Sequence, residues 1–290
     1  MLLIQPGTDN PTELRFNPEF VARNGLKSVA GQAWVKRNNE PMLPLDRHFL
    51  YRFNETGRLG YSNNSFGKPG SGMDTASVMY TYSPEGRLIQ ALHNDIHGFF
   101  ALRQEYDREG RVERTRNVRL ENLGTDRYHF VEGASTTISD ESYRYQKLND
   151  TVWMKTWLND RGRPYQEELF TSDGLGYLRQ VDRRNLITRK RGRITFTYDE
   201  NGRLAGRSDQ PDLGIQHWST WTWTYDKAGN PLTRDLFRDG VLASHSEYLY
   251  AEGTLFLKAI LTRNDETGVI DIIRYDTERQ SVLAEPLPMD

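Results

Sequence analysis

Tyr198-Asp199-Glu200-Asn201-Gly202-Arg203-Leu204 is one copy of a seven-residue phrase that recurs along the chain. The phrase consists of a bulky residue, usually Asp or Asn, two variable residues, Gly, Arg and an apolar residue. Further copies begin at Phe53, Tyr82 and Tyr106 and, in looser form, at Leu158 and Tyr225. A repeat of this length predicts one small supersecondary unit that is copied and stacked along the chain.

The phrase predicts a β-hairpin turn. An Asp or Asn side chain can accept a hydrogen bond from the backbone two residues on, and Gly supplies the left-handed backbone that follows. The residues before the phrase alternate in polarity, as in Trp221, Trp223 and Tyr225 against Thr222 and Thr224. Such alternation of aromatic and β-branched residues indicates a strand that runs into the turn.

The spacing of the turn glycines supports a regular unit. Gly57, Gly86 and Gly110 are 29 and 24 residues apart, whereas the intervals from Gly110 to Gly162 and from Gly162 to Gly202 are 52 and 40 residues. The longer intervals predict two degenerate copies, at 128–133 and 181–186. The phrase decays beyond residue 240, which is expected of a unit that caps a stack.

The phrase resembles the YD repeat of the RHS family, most fully in the copies at Tyr106 and Tyr198, and the resemblance covers roughly residues 49–253. It implies an antiparallel ribbon of hairpins in secreted or surface-linked bacterial proteins, which in large members becomes a shell around a toxin. Because this chain is short, we expect an all-β, open and curved single-layer sheet or a partial β-shell. The expected organisation is a cap (1–48), the hairpin repeats (49–253) and a degenerate repeat or cap (254–290).

The N-terminal part predicts a short helix. Asn17 is a capping residue, Pro18 suits the first helical position and Gly25 suits the position after the last turn. A strand is expected around 29–35 and a turn at 38–41. The stretch 63–72 reads as a long polar loop that lacks the ending of a phosphate-binding loop.

Composition excludes several classes of function. The formal net charge of −2 provides no global field for nucleic acid or an anionic membrane. No apolar run approaches the ~20 residues that span a bilayer, and the apolar start of the chain is too short for a signal peptide. Cysteine is absent, which excludes disulfides and thiol catalysis. The compartment stays open, although the resemblance favours a secreted or surface location over the cytoplasm.

His93, Asp95 and His97 alternate, so on a strand they would share one face. Two imidazoles and a carboxylate can hold a divalent metal ion, which is the only cofactor that the sequence suggests. The competing interpretation is the polar face of an ordinary strand, with no cofactor.

Trp218, Trp221, Trp223 and Tyr225 form the densest aromatic stripe. The last three would make a flat surface that either binds a ligand or packs as core, and core is favoured because aliphatic residues are few. Trp218 is out of that register and is the better candidate for a ligand contact. The basic residues of 183–193 suit an anion or a solvated sheet edge. Asp173 weakly resembles the self-cleaving aspartate of RHS cores.

These patterns predict a non-catalytic binding or scaffold module that contacts a carbohydrate or a protein through a sheet face. A first alternative is a metal-dependent hydrolase centred on His93, Asp95 and His97. A second is a cytoplasmic partner of a toxin that pairs with its target through an exposed sheet edge.

Overall fold

The computed structural model describes residues 1–67, 74–125 and 130–279. This part of the chain contains one short helix, α1 (Pro18–Arg23), and 18 strands. The strands are β1 (Leu26–Lys36), β2 (Leu43–Phe53), β3 (Leu59–Ser65), β4 (Asp74–Tyr82), β5 (Leu88–Asp95), β6 (Gly98–Tyr106), β7 (Val112–Asn122), β8 (Glu132–Lys147), β9 (Val152–Leu158), β10 (Pro164–Ser172), β11 (Leu178–Asn185), β12 (Arg191–Tyr198), β13 (Leu204–Gln210), β14 (Ser219–Tyr225), β15 (Pro231–Arg238), β16 (Val241–Tyr250), β17 (Leu257–Asn264) and β18 (Ile270–Arg279).

The strands form a closed antiparallel barrel. Each strand pairs with the next one along the chain, and β18 returns to pair with β1 from Leu26 opposite Arg279 to Lys36 opposite Ile270. The expectation of an open, curved sheet is therefore wrong, whereas the all-β, hairpin-built character is confirmed. Local alternation and turn residues specify hairpins, but they carry no signal for whether the first and last strands meet.

Closure of the barrel argues against the alternative in which the protein pairs with a toxin through an exposed sheet edge. Every described strand has a hydrogen-bonded neighbour on both sides. The described strands therefore offer no free edge of the kind that strand addition to a toxin requires.

The N-terminal helix is confirmed. The Asn17 side chain accepts hydrogen bonds from the backbone N–H groups of Glu19 and Phe20 at 3.0 and 3.2 Å, which caps α1. The strand expected around 29–35 lies within β1. The polar loop expected from residue 63 starts later, because β3 continues to Ser65, and positions 68–72 of that loop lie outside the described residues.

Residues 1–17, hereafter the N-terminal segment, fill much of the interior. The segment begins as a short hairpin with a bridge between Leu2 and Phe16. Phe16 packs on the rings of Tyr51 and Phe53, while Ile4 packs on a core cluster on β11–β14. Because a closed barrel of 18 strands encloses more space than its own side chains fill, this segment supplies core contacts for both walls.

The barrel has two different mouths. The repeat mouth carries the turns that join β2 to β3, β4 to β5 and so on to β16–β17, and α1 lies against it at Gly57. The apolar mouth carries the other turns, from β1–β2 to β17–β18. The copies of the phrase at Phe53, Tyr82, Tyr106, Tyr198 and Tyr225 all lie at the repeat mouth, whereas the copy at Leu158 lies at the apolar mouth.

The two predicted degenerate copies have different outcomes. Residues 181–185 belong to strand β11, so the prediction of a turn there is wrong. The true unit is Asp173-Gly174-Leu175-Gly176-Tyr177, in which Asp173 accepts hydrogen bonds from Leu175 N and Tyr177 N at 2.9 and 3.0 Å. Gly176 precedes Gly202 by 26 residues, which restores the regular interval. The copy predicted at 128–133 begins outside the described residues.

Each residue type of the phrase has a physical role at the turn. Asp199 Oδ1 accepts from Asn201 N and Arg203 N at 3.0 and 2.9 Å, and Arg203 Nε donates to Asp199 Oδ2 at 2.7 Å. Burial acts to raise the pKa of the Asp199 carboxyl, but these hydrogen bonds outweigh burial and leave that pKa below its usual value. Gly202 has φ +74°, which favours glycine.

The bulky residue of the phrase links one unit to the previous one. Tyr225 Oη donates to the Leu204 carbonyl at 2.6 Å, and the Arg203 guanidinium lies 4.7 Å from the Tyr225 ring centroid. The same hydroxyl-to-carbonyl bond joins Tyr82 to Leu59, Tyr106 to Leu88, Tyr145 to Val112, Tyr198 to Leu178 and Tyr250 to Pro231. These bonds form a tyrosine ladder around the repeat mouth.

Candidate functional site

One stretch of the inner wall brings charged and aromatic side chains together under the N-terminal segment. It is built by cross-strand pairing, because Lys155 on β9 lies opposite Glu168 on β10, and Glu168 lies opposite Arg183 on β11. Residues directly opposite one another on adjacent strands share a face. We call this stretch the inner-wall site, and its members are Tyr143, Lys155, Trp157, Glu168, Arg183 and Arg207.

Lys155 lies between two aromatic rings. Its Nζ is 4.0 Å from the Tyr143 ring centroid and 4.2 Å from the Trp157 ring centroid, within the range of a cation–π interaction. Burial lowers the pKa of the Lys155 ammonium, while the carboxylates of Glu168 and Glu141 act in the opposite direction. The two rings therefore hold a partly desolvated cation in place.

Glu168 is almost completely buried, with 2% of its surface exposed. Its Oε1 accepts a hydrogen bond from Arg183 Nε at 3.0 Å. Arg183 also reaches the N-terminal segment, where its second terminal nitrogen donates to the Thr8 carbonyl at 3.4 Å. A buried carboxylate that lost its hydrogen-bonded cationic partner would be strongly unfavourable, so Glu168 and Arg183 act as a unit.

Arg207 contacts the same segment from β13. It is 5% exposed, and it donates to the backbone carbonyl of Asp9 and to Asp209 Oδ2, the latter at 3.1 Å. Burial lowers the pKa of the Arg207 guanidinium, against the opposing effect of Asp209. Its guanidinium lies 5.7 Å from the Trp221 ring centroid. Thus two arginines of the wall bind consecutive main-chain carbonyls.

Several buried donors on the inner wall have no acceptor among the described residues. They are Arg207 Nε and the indole N–H groups of Trp157, Trp221 and Trp223. A buried donor without a partner carries a desolvation cost of about 1–3 kcal/mol. An acceptor-rich ligand or ordered water on this wall would remove that cost.

The aromatic stripe faces the barrel interior. Trp223 is buried in the core cluster, Trp221 packs at its border, and Tyr225 belongs to the tyrosine ladder. Burial raises the pKa of the Tyr225 hydroxyl. Trp218 lies in the β13–β14 loop, where it is half-buried and its backbone N–H donates to Asp239 Oδ1 at 2.8 Å. The structure therefore does not bring Trp218 into the plane of the other three.

The three residues of the predicted metal site lie near the apolar mouth. His93 and Asp95 belong to β5, while His97 lies in the turn that follows, where its backbone N–H donates to Asp95 Oδ1 at 2.7 Å. Burial lowers the pKa of the His93 imidazole, with Asp95 acting against it. In the described ranges, no group of three His, Asp or Glu side chains is arranged to hold a metal ion. The metal stays a prediction, which an unchanged melting temperature in chelator would contradict.

Sequence patterns missed the inner-wall site for an identifiable reason. Glu167 and Glu168 are adjacent, and they do point to opposite faces, as expected for a strand. The site is defined by the pairing register of β9, β10 and β11, which places Lys155, Glu168 and Arg183 directly opposite one another. That register depends on the position of the β10–β11 turn, which the sequence analysis had misplaced. Arg183 faces inward, so the basic segment 183–193 is divided between the two faces of the sheet.

No protein-family model and no curated protein matches this chain. Among solved structures, it is similar to a porin-like protein from Bacteroides uniformis (TM-score 0.41, 11% identity, 87% of this chain and 98% of that one). It is also similar to a chain of the TcdB2-TccC3-Cdc42 structure (TM-score 0.33, 16% identity, 83% of this chain, 14% of that one). A third is the LolA superfamily protein NE2245 from Nitrosomonas europaea (TM-score 0.24, 12% identity, 89% and 88%). Likeness at these scores carries no inference about function.

No helix within 1–67, 74–125 or 130–279 is long and apolar enough to cross a membrane.

Proposed function

We propose that this protein is a non-catalytic binding module built from YD-type repeats, and that its inner-wall site holds a polypeptide segment through its main-chain carbonyls. The repeat assignment is supported by the turns, where Tyr, Asp, Gly and Arg each have a distinct contact. The binding role is supported by the inner-wall site, which combines aromatic rings with fixed hydrogen-bond donors. A secreted or surface location stays a prediction from the repeat.

One observation carries the choice of a polypeptide. Arg183 and Arg207 donate to the main-chain carbonyls of Thr8 and Asp9, so the wall already binds the backbone of a bent polypeptide segment. Each guanidinium is oriented by its own carboxylate, Glu168 or Asp209. Recognition through carbonyls is independent of side-chain identity, which suits a module that accepts a segment of another chain in place of its own.

A carbohydrate is the second candidate. The indole N–H groups of Trp157 and Trp221 are buried and lack an acceptor among the described residues. Sugar hydroxyls are acceptors, and apolar sugar faces stack on aromatic rings, so a bound oligosaccharide would satisfy these donors.

The test is a ligand titration of the full chain, in which the NMR signals of its six ¹⁵N-labelled indole groups are the readout. The ligands are a synthetic peptide with the sequence of residues 1–17 and short glucose and N-acetylglucosamine oligomers. The variants are Ile4→Ser, which weakens the packing of the N-terminal segment on the β11–β14 cluster, and Leu175→Ser, an exposed control at the repeat mouth.

We expect the peptide to shift the inner-wall indole signals, and to do so at a lower concentration in Ile4→Ser than in the parent or the control. A response to the oligosaccharides alone would favour the second candidate. If neither ligand shifts an indole signal in a folded Ile4→Ser protein, the inner wall is not a binding surface and the proposal is wrong.

A further inference from the structure

The outer face of the β11–β12 hairpin carries an unbalanced positive charge. Arg184 on β11 lies directly opposite Arg191 on β12, and both side chains are exposed. Like charges directly opposite on adjacent strands are destabilising. Neither guanidinium has a carboxylate within 4.0 Å among the described residues, whereas the neighbouring Arg193 binds Asp182 at 2.7 Å.

These two arginines line a surface groove of about 310 Å³. Four arginines and two carboxylates line it, together with apolar side chains. Asp182 is engaged by Arg193, and Arg183 turns inward to Glu168. The remaining charges of the groove are Arg184, Arg191 and Glu167, and Glu167 lies directly opposite Arg184 on β10, so the net charge of these three is +1.

The β13–β14 loop closes one side of the groove. The backbone N–H of Leu213 donates to the Arg191 carbonyl at 2.7 Å. Gly192 permits this approach, because a Cβ there would lie 2.8 Å from the Pro211 carbonyl oxygen. The loop is thus fixed against the hairpin, and its next exposed apolar side chain, Ile215, belongs to the same corner of the apolar mouth.

An exposed apolar residue forms the tip beyond the groove. Ile187 is 76% exposed and Ile215 is 58% exposed. Asn185 Oδ1 accepts from Ile187 N and Thr188 N at 3.0 and 2.8 Å, so the tip has a defined conformation. Arg189 and Lys190 follow Ile187 within the same turn, and Lys190 Nζ lies 3.8 Å from Asp212 Oδ2 of the β13–β14 loop. The corner therefore presents an apolar tip, a basic collar and a cationic groove in succession.

We propose that this corner docks on a membrane surface that contains anionic phospholipid. A headgroup phosphate lies in the groove between Arg184 and Arg191, and Ile187 and Ile215 enter the acyl boundary. The order of the three features matches the order of layers in a leaflet, where phosphates lie above the acyl chains. A soluble anion would use the groove but would leave the two isoleucines in water.

The experiment is cosedimentation of the full chain with vesicles of phosphatidylcholine alone and of phosphatidylcholine with 30% phosphatidylglycerol. The test variants are R184Q/R191Q and Ile187→Ser. The charge-matched control is R108Q/R144Q, two exposed arginines away from the corner, and the apolar control is Leu175→Ser. Circular dichroism verifies that each variant is folded.

We expect binding to the anionic vesicles only, reduced roughly 30-fold by R184Q/R191Q, since each surface cation contributes about fivefold. Ile187→Ser should weaken binding, both controls should behave as the parent, and added salt should release the protein. Equal binding by R184Q/R191Q, or no preference for anionic vesicles, would overturn the proposal. Release by millimolar inorganic phosphate at constant ionic strength, with no effect of Ile187→Ser, would assign the groove to a free anion and would also overturn it.

Discussion

The two mouths of the barrel are built on different principles. At the repeat mouth, most turns share an Asp-, Asn- or Ser-x-x-Gly pattern, and a tyrosine of one unit bonds to the carbonyl of the previous unit. At the apolar mouth, the turns differ in length and sequence, and most have exposed apolar side chains in the turn or at the adjoining strand ends: Leu43, Leu45, Phe66, Ile96, Leu123, Val131, Ile187, Leu213, Ile215 and Val241. The comparison shows that the repeat stabilises the turns of one mouth through contacts between units, whereas the turns of the other mouth differ in length and sequence.

The largest expected difference concerns turn glycines. Gly57 at the repeat mouth has φ +75°, and a Cβ there would lie 2.0 Å from the Pro18 carbonyl oxygen of α1. Gly162 at the apolar mouth has φ +68° and open space around it. Because a backbone atom cannot move aside as a side chain can, Gly57→Ala should destabilise the protein by more than about 3 kcal/mol. Gly162→Ala should cost only the left-handed strain, about 1–2 kcal/mol.

Urea denaturation of both variants measures this difference. Equal loss of stability would mean that α1 is not held against the repeat mouth, and that both mouths tolerate change to the same extent.

A smaller effect should appear in the tyrosine ladder. Tyr225→Phe removes the hydroxyl that donates to the Leu204 carbonyl at 2.6 Å and leaves that buried acceptor without its partner, which should cost about 1 kcal/mol. Tyr61→Phe is the control, because within the described ranges its hydroxyl accepts from the Asn63 side chain of the same strand and makes no bond between repeat units. The melting temperatures of the two variants, each compared with the parent protein, measure this effect. A Tyr225→Phe protein as stable as Tyr61→Phe would show that the ladder contributes geometry without stability.

The smallest effect concerns pH at the apolar mouth. Burial lowers the pKa of His93 from its usual value of 6.5. Below pH 6.5 the His93 imidazole binds a proton more readily in the unfolded chain than in the folded one. The contribution of His93 to the free energy of unfolding is therefore fully present above pH 6.5 and is lost as the pH falls below that value. His93→Gln should flatten this dependence between pH 7.5 and 5.5. Denaturation curves across that range measure it, and an identical slope in the variant would contradict the assignment to His93.

Much of the fold was predictable because its signals are local. Asn17 and Pro18 marked the helix, and the alternation around Trp221 and Trp223 marked strands with one face inward. The turn at Asp173 was within reach, since its Asp-x-x-Gly spacing fits the phrase. Tyr177 in the place of Arg concealed it, and Arg179 now provides the contact to Asp173 at 2.7 Å.

Other features lay beyond sequence patterns for a physical reason. Closure depends on β1 and β18, and the inner-wall site depends on the register of β9, β10 and β11, which are tertiary properties. The basic segment was interpreted as an anion contact or a sheet edge. The closed barrel removes the edge, and the division of Arg183 from Arg184 between two faces could not be known without the register.

The seam between β1 and β18 has a consequence for how the molecule acquires its structure. Among the described strands, seventeen of the eighteen pairings join neighbours in sequence, and one joins residues about 250 positions apart. Hairpins can thus form in any order at low entropic cost, but the barrel closes only when β1 and β18 pair. We expect a rapid phase that builds secondary structure and a slower, concerted closing phase, with the unlocked intermediate exposing two adhesive edges to aggregation.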